Sequence, residues 1–144
     1  MTAAGRSWAD AVAAKDHDAV RALLVPDVDF RALTPGRPWE ATTSDEVLEI
    51  LFGHWFEDQD HVVGLLAVDT GDPVEDVERV GYRLAMRNPD GDFTVEQQAY
   101  FRTTDGRITH LRVLCSGFQP SAPRAASVGG GVDPVEWALH SDIL

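Results

Sequence analysis

Between Val77 and Phe118 the chain alternates apolar and polar positions through three segments, VERVGYRLAMRN, DFTVEQQAYFRT and RITHLRVLCSGF. Turn signals at Asn88-Pro89-Asp90-Gly91 and Thr104-Asp105-Gly106 separate them. In the first segment Val80, Tyr82, Leu84 and Met86 share one face, opposite Arg79, Arg83 and Arg87. In the second, Phe93, Val95, Gln97, Ala99 and Phe101 stand opposite Thr94, Glu96, Gln98, Tyr100 and Arg102. The third sets Leu111, Val113 and Cys115 against His110, Arg112 and Leu114. A period of two sustained through two hairpins predicts a curved antiparallel meander with one buried face. That face needs cover, and the chain before it supplies helices.

Ser7 reads as the N-cap of a first helix carrying Trp8, Ala11, Val12 and Lys15, with residues 1–5 frayed. Asp16-His17-Asp18 breaks it and caps a second helix, which carries Val20, Leu23 and Leu24 and stops at Pro26. Val28, Phe30 and Ala32 then alternate with Asp29, Arg31 and Leu33 as a short strand. Thr34 to Trp39 reads as a loop holding one large aromatic residue. Ser44 opens a third helix, with Asp45 and Glu46 at its positive end, and Val47, Leu48, Leu51, His54 and Trp55 recur at helical spacing. Asp58 to Asp60 end it, and His61 to Val68 form a strand whose faces the weak alternation does not assign. Residues 1–118 thus form the domain. Residues 119–144 read as a Pro/Gly-rich linker and a short tail with a helix-start signature at Asp133-Pro134.

Composition narrows the function classes. A net charge of −12 argues against a nucleic-acid partner and against anionic membrane surfaces, and an uncharged or weakly polar small molecule suits this surface best. No apolar run approaches the length of a bilayer span, and no basic-plus-apolar leader stands at the start, so the reading is a cytoplasmic protein. Cys115 is the single cysteine, which excludes an intramolecular disulfide, and its strand face predicts a buried thiol. No phosphate-binding glycine loop, Ser-His-Asp arrangement or dinucleotide fingerprint occurs, and no motif implies a cofactor. His54, Asp58 and His61 match no catalytic-zinc spacing, so no metal site is assigned.

The order helix, helix, strand, helix and four strands ending in a Gly-Arg-Ile hairpin resembles the NTF2-like superfamily, and within it the SnoaL-like branch. The resemblance covers residues 6 to 118. It is carried by the Trp8 segment, by Leu24-Val25-Pro26-Asp27-Val28-Asp29-Phe30 and by Asp105-Gly106-Arg107-Ile108. It implies an α+β fold: a cone-shaped barrel in which a bent, mostly antiparallel sheet wraps around three N-terminal helices, with an apolar pocket at its open end. It also implies a homodimer through the outer sheet face, which here carries Tyr100, Leu114 and alternating charges.

Members of this superfamily include enzymes, and their sites can be compared position by position. Relative to the steroid isomerases of this fold, Trp8 stands at the phenol position, Ala32 at the base position and Gln97 at the oxyanion-donor position. Ala32 carries no proton, which speaks against that chemistry. The aspartate–arginine–aspartate set of the epoxide hydrolases is not matched on the apolar faces. The histidine–aspartate dyad of the dehydratases would need His54 or His110, and spacing gives neither a partner.

The leading reading is a small apolar-molecule pocket protein, acting as an isomerase, cyclase or dehydratase on a polyketide- or terpenoid-like carbonyl compound. In it His54 moves protons, while Gln97 and Tyr82 polarise an oxygen. Trp8, Phe30, Trp55, Leu111, Val113 and Cys115 supply the ligand-binding wall. The rival is a non-catalytic ligand-binding or dimerisation module, favoured by the missing carboxylate base. Gln97 is read two ways: as a polar anchor for a ligand, or as a buried amide satisfied by its neighbours. The arginines at 79, 83 and 87 are expected to pair across strands with Glu96 and Glu78.

Overall fold

A two-residue turn at Pro89-Asp90 fixes the register of the longest hairpin, and the rest of the sheet is built outward from it. The computed structural model describes residues 3–121. It contains α1 (Ala3–Ala13), α2 (His17–Leu23), β1 (Leu24–Thr34), β2 (Arg37–Ala41), α3 (Ser44–Ile50) and a π-helical turn (Leu51–Trp55). Then come β3 (His61–Thr70), β4 (Glu78–Asn88), β5 (Gly91–Thr104), β6 (Arg107–Cys115) and β7 (Gln119–Pro120). One seven-stranded sheet runs β2-β1-β6-β5-β4-β3, with β7 added to β5 beyond the end of β6. The β1–β6 pair is parallel and every other pair antiparallel. The α+β cone and its antiparallel core over residues 77–118 are as the alternation and the resemblance predict.

The predicted inward faces of β1, β4, β5 and β6 are the buried ones. Val28, Phe30, Val80, Tyr82, Leu84, Met86, Val95, Gln97, Ala99, Phe101, Leu111, Val113 and Cys115 are all nearly solvent-free. Helix α1 lies across β3 and β4, and α3 across β1. Gly5 permits the first approach: a Cβ there would sit 3.2 Å from that of Val80 and 3.3 Å from the Phe101 ring. On the outer face Arg79 pairs with Asp69 at 2.9 Å, Arg83 with Glu96 at 3.1 Å and Arg87 with Asp92 at 2.7 Å.

The structure corrects three local expectations and assigns the faces of β3. Helix α1 begins at Ala3, so Ser7 is an interior residue rather than its cap. The chain turns extended at Leu24, ahead of Pro26, because Leu24 already pairs with Ile108 of β6; a bulge then absorbs the proline. Thr34 to Trp39 is no loop: Pro35-Gly36 turns β1 into β2, with Gly36 at φ 77°, and Trp39 faces Ala32 across the hairpin. Strand β3 carries two bulges, which place Val63 and Leu66 as extra residues and spread its inward positions to Val62, Leu65 and Val68. A spacing of three hides the period-two signal.

Two caps hold as expected or nearly so. Asp16 accepts the Ala19 N–H as N-cap of α2. Thr43, one residue before the expected Ser44, caps α3 by accepting from Glu46, whose carboxylate in turn accepts the Thr42 N–H at 2.8 Å. Of the linker and tail expected over 119–144, only Gln119 to Ser121 fall within the described residues.

Candidate functional site

The helix-covered face of the sheet holds one connected polar chain. Tyr82 lies directly opposite Gln97, and Gln97 directly opposite Cys115, so the three stand in a row across β4, β5 and β6. Cross-strand neighbours of this kind sit close enough for side chains to touch. Trp8, reaching down from α1, donates its indole N–H to the Tyr82 hydroxyl at 2.8 Å. Tyr82 donates to Gln97 Oε1 at 2.5 Å, and Gln97 Nε2 donates to Cys115 Sγ at 3.2 Å. The Gly117 N–H also donates to that sulfur, at 3.4 Å. Trp8 and Gln97 are fully buried, Tyr82 and Cys115 almost so.

Burial sets the proton affinities here. Removal from water pushes the Tyr82 phenol well above its usual range, against the pull of the Trp8 N–H. Burial likewise raises the Cys115 thiol, opposed by the Gln97 amide and the Gly117 N–H. Both groups are therefore neutral at physiological pH, and the row is a set of dipoles rather than charges. Gln97 retains one further N–H and one lone pair beyond those used.

Of the wall residues expected from sequence, Phe30, Leu111, Val113 and Cys115 lie on this same face, with Phe30 packed 6.2 Å from the Trp55 ring. His54 does not join them. Its side chain is 47% exposed, beside the Trp39 ring at 5.4 Å and the Glu49 carboxylate at 3.9 Å. The cause is the π-turn. Phe56 N–H reaches back to Leu51 O at 2.7 Å, five residues away, so each residue rotates by less than in an α-helix. Trp55 and Phe56 turn inward and His54 turns out, although α-helical spacing placed it on the apolar stripe.

His110 does find a partner that spacing could not reveal. The parallel β1–β6 register sets it opposite Asp29, with 3.7 Å between Nε2 and Oδ2, and Arg112 reaches the same carboxylate at 3.2 Å. Asp29 and His110 line an open cleft of about 520 Å³ on the outer face, together with Asp27, Asp105 and Arg107. A second open cleft, of about 320 Å³, lies beside Arg37, Trp39, Glu49, Ile50 and His54. Among the described residues no three histidine, cysteine, aspartate or glutamate side chains come together as a metal set.

Sequence reasoning passed over Trp39, whose ring meets Trp55 edge-on at 6.0 Å and carries the Arg37 guanidinium 3.6 Å above it. A large aromatic residue in a turn-forming run was its one signal. Phe118, packed 6.2 Å from Phe56 and 5.6 Å from Phe93, was likewise missed, lying just past the last alternating strand.

No protein-family model matches the chain, and no curated protein matches it by sequence. Solved structures do match in shape. A candidate polyketide cyclase from Xanthomonas campestris pv. campestris aligns with a TM-score of 0.62 over 97% of this chain and 95% of its own, at 17% identity. A candidate polyketide cyclase from Pseudomonas putida KT2440 aligns with a TM-score of 0.62 over 91% of this chain and 97% of its own, at 13% identity. An LEH-like epoxide hydrolase from M. tuberculosis aligns with a TM-score of 0.56 over 78% of this chain and 79% of its own, at 17% identity. At these identities the likeness is one of fold alone, that of a curled sheet wrapped around N-terminal helices.

Proposed function

We propose that this chain binds a small, mainly apolar molecule against the helix-covered face of its sheet and does not transfer protons to or from it. The observation that carries this reading is the Trp8–Tyr82–Gln97–Cys115 row. Its groups are an indole, a phenol, an amide and a thiol, and none of them ionises near neutrality. Dipoles on an apolar wall orient a ligand, while burial of apolar surface supplies affinity. Both histidines considered for acid–base work sit outside this face. No helix among the described residues is long and apolar enough to cross a membrane.

A second reading is supported by the structural neighbours described as candidate polyketide cyclases. On it, Tyr82 and Gln97 polarise a carbonyl oxygen of a polyketide- or terpenoid-like compound, and His54 moves the proton from the Trp39 side. One ketone separates the two. 2-Acetylnaphthalene is expected to bind the purified protein in equilibrium dialysis, while its methyl protons exchange with D2O no faster than in buffer. Exchange that is accelerated by the protein and lost in His54→Ala would establish the enzymatic reading. No binding would remove both. The working unit on either reading is a homodimer through the outer face, where Tyr100 is 38% exposed.

A further inference from the structure

Trp55 closes the π-turn and is only 8% exposed, yet its indole N–H has no acceptor. The two other indoles of this region are both used: Trp8 donates to Tyr82 and Trp39 to Thr34 Oγ1 at 2.8 Å. Among the described residues Trp55 is the one buried side-chain donor left over. A donor taken out of water without a partner is costly to keep, and native interiors rarely do so without a use for it.

Its surroundings say what would satisfy it. Phe30 packs against one side at 6.2 Å, and Trp39 meets it edge-on at 6.0 Å. Trp39 also lines the 320 Å³ cleft beside Arg37 and His54, so a half-buried ring that packs on Trp55 borders that cleft. That ring is carried by β2, a five-residue strand paired on one side only. The wall is thus carried by a short edge strand of the sheet.

We propose that the Trp55 indole N–H anchors a ligand subsite walled by Phe30, Trp39 and Trp55, reached from the Arg37–His54 cleft, and that its ligand is a neutral, flat, carbonyl-bearing molecule. The proposal rests on the binding reading above and names its anchor. Aromatic rings on two sides, one tilted and one edge-on, favour a ligand with a π-system. A lone N–H selects a neutral acceptor oxygen, because by itself it does not offset the desolvation of a carboxylate. Glu40, Glu46 and Glu49 outnumber Arg37 around the cleft and further disfavour an anion on the way in. A cation finds no carboxylate among the three wall residues.

The test compares 2-acetylnaphthalene with 2-ethylnaphthalene, which has nearly the same shape but no acceptor, by equilibrium dialysis against the full chain. The wild type is expected to hold the ketone about tenfold more tightly. Trp55→Phe should bind both equally, at the wild-type affinity for the hydrocarbon, and melt no lower than wild type. A second measurement needs no variant. In the indole ¹H–¹⁵N spectrum of the wild type, the Trp55 resonance should move downfield with the ketone and not with the hydrocarbon. A preference that survives Trp55→Phe, or that is lost only in Gln97→Leu, overturns the assignment. Equal binding of both probes with a stationary Trp55 resonance overturns it too, while leaving the binding reading intact. Binding of neither probe to the wild type removes both.

Discussion

Tyr82 both accepts from Trp8 and donates to Gln97, so its hydroxyl is the joint of the buried row. Tyr82→Phe keeps the ring and strands an indole donor and an amide acceptor. The expected loss is about 1–3 kcal/mol of unfolding free energy, measured by urea titration at neutral pH. The pH dependence has a definite sign. The folded-state pKa of Tyr82 is raised above its ordinary value of 10.0, so the folded protein keeps a proton that the unfolded chain releases. Stability from this group is complete below pH 10 and declines above it, by at most about 1.4 kcal/mol per pH unit. Tyr82→Phe lacks that decline, so the gap between wild type and variant should narrow as the pH rises past 10; a constant gap would refute the account. Cys115, raised for the same reason, should react with a disulfide reagent only as fast as the fold opens, and at the free-thiol rate once denatured.

Elements differ in how much of them the amino acids declare. The Tyr82–Gln97 pairing is written in the chain, because a two-residue turn between Asn88 and Gly91 leaves only one register for the strands it joins. Extending the row to Cys115 requires the bulge at the Arg102–Thr103 step, which the alternation alone does not show. The Asp29–His110 pair is beyond local reading altogether, since a parallel pairing is set by the whole crossover rather than by a turn. His54 is the instructive miss. Its place on an apolar stripe presumes rotation of about 100° per residue, and the π-turn departs from it under tertiary packing of Trp55 and Phe56. His54→Ala should accordingly leave thermal stability within about 0.5 kcal/mol of wild type. Asp16→Ala, which removes a cap visible in both sequence and structure, should cost about 1 kcal/mol.

For the molecule as a whole, a net charge of −12 coexists with an outer sheet face on which Arg79, Arg83, Arg87 and Arg102 are matched by acidic partners. Two copies can meet on such a face without facing rows of like charge, and light scattering at micromolar concentration should give twice the chain mass. Tyr100→Glu, at the exposed centre of that face, should return the monomer mass with the fold unchanged; a monomeric wild type would refute the assembly. The opposite risk lies at β3, a ten-residue strand on the rim of the sheet. A straight rim strand is a template on which further chains can add, and repeated addition ends in fibres. The two supernumerary residues Val63 and Leu66, 56% and 57% exposed, break the hydrogen-bonding ladder at two points and bend the strand away from any straight neighbour. Their apolar side chains would otherwise invite that neighbour. The same irregularity that hides β3 in the sequence keeps a protein with an open-edged sheet from polymerising through it.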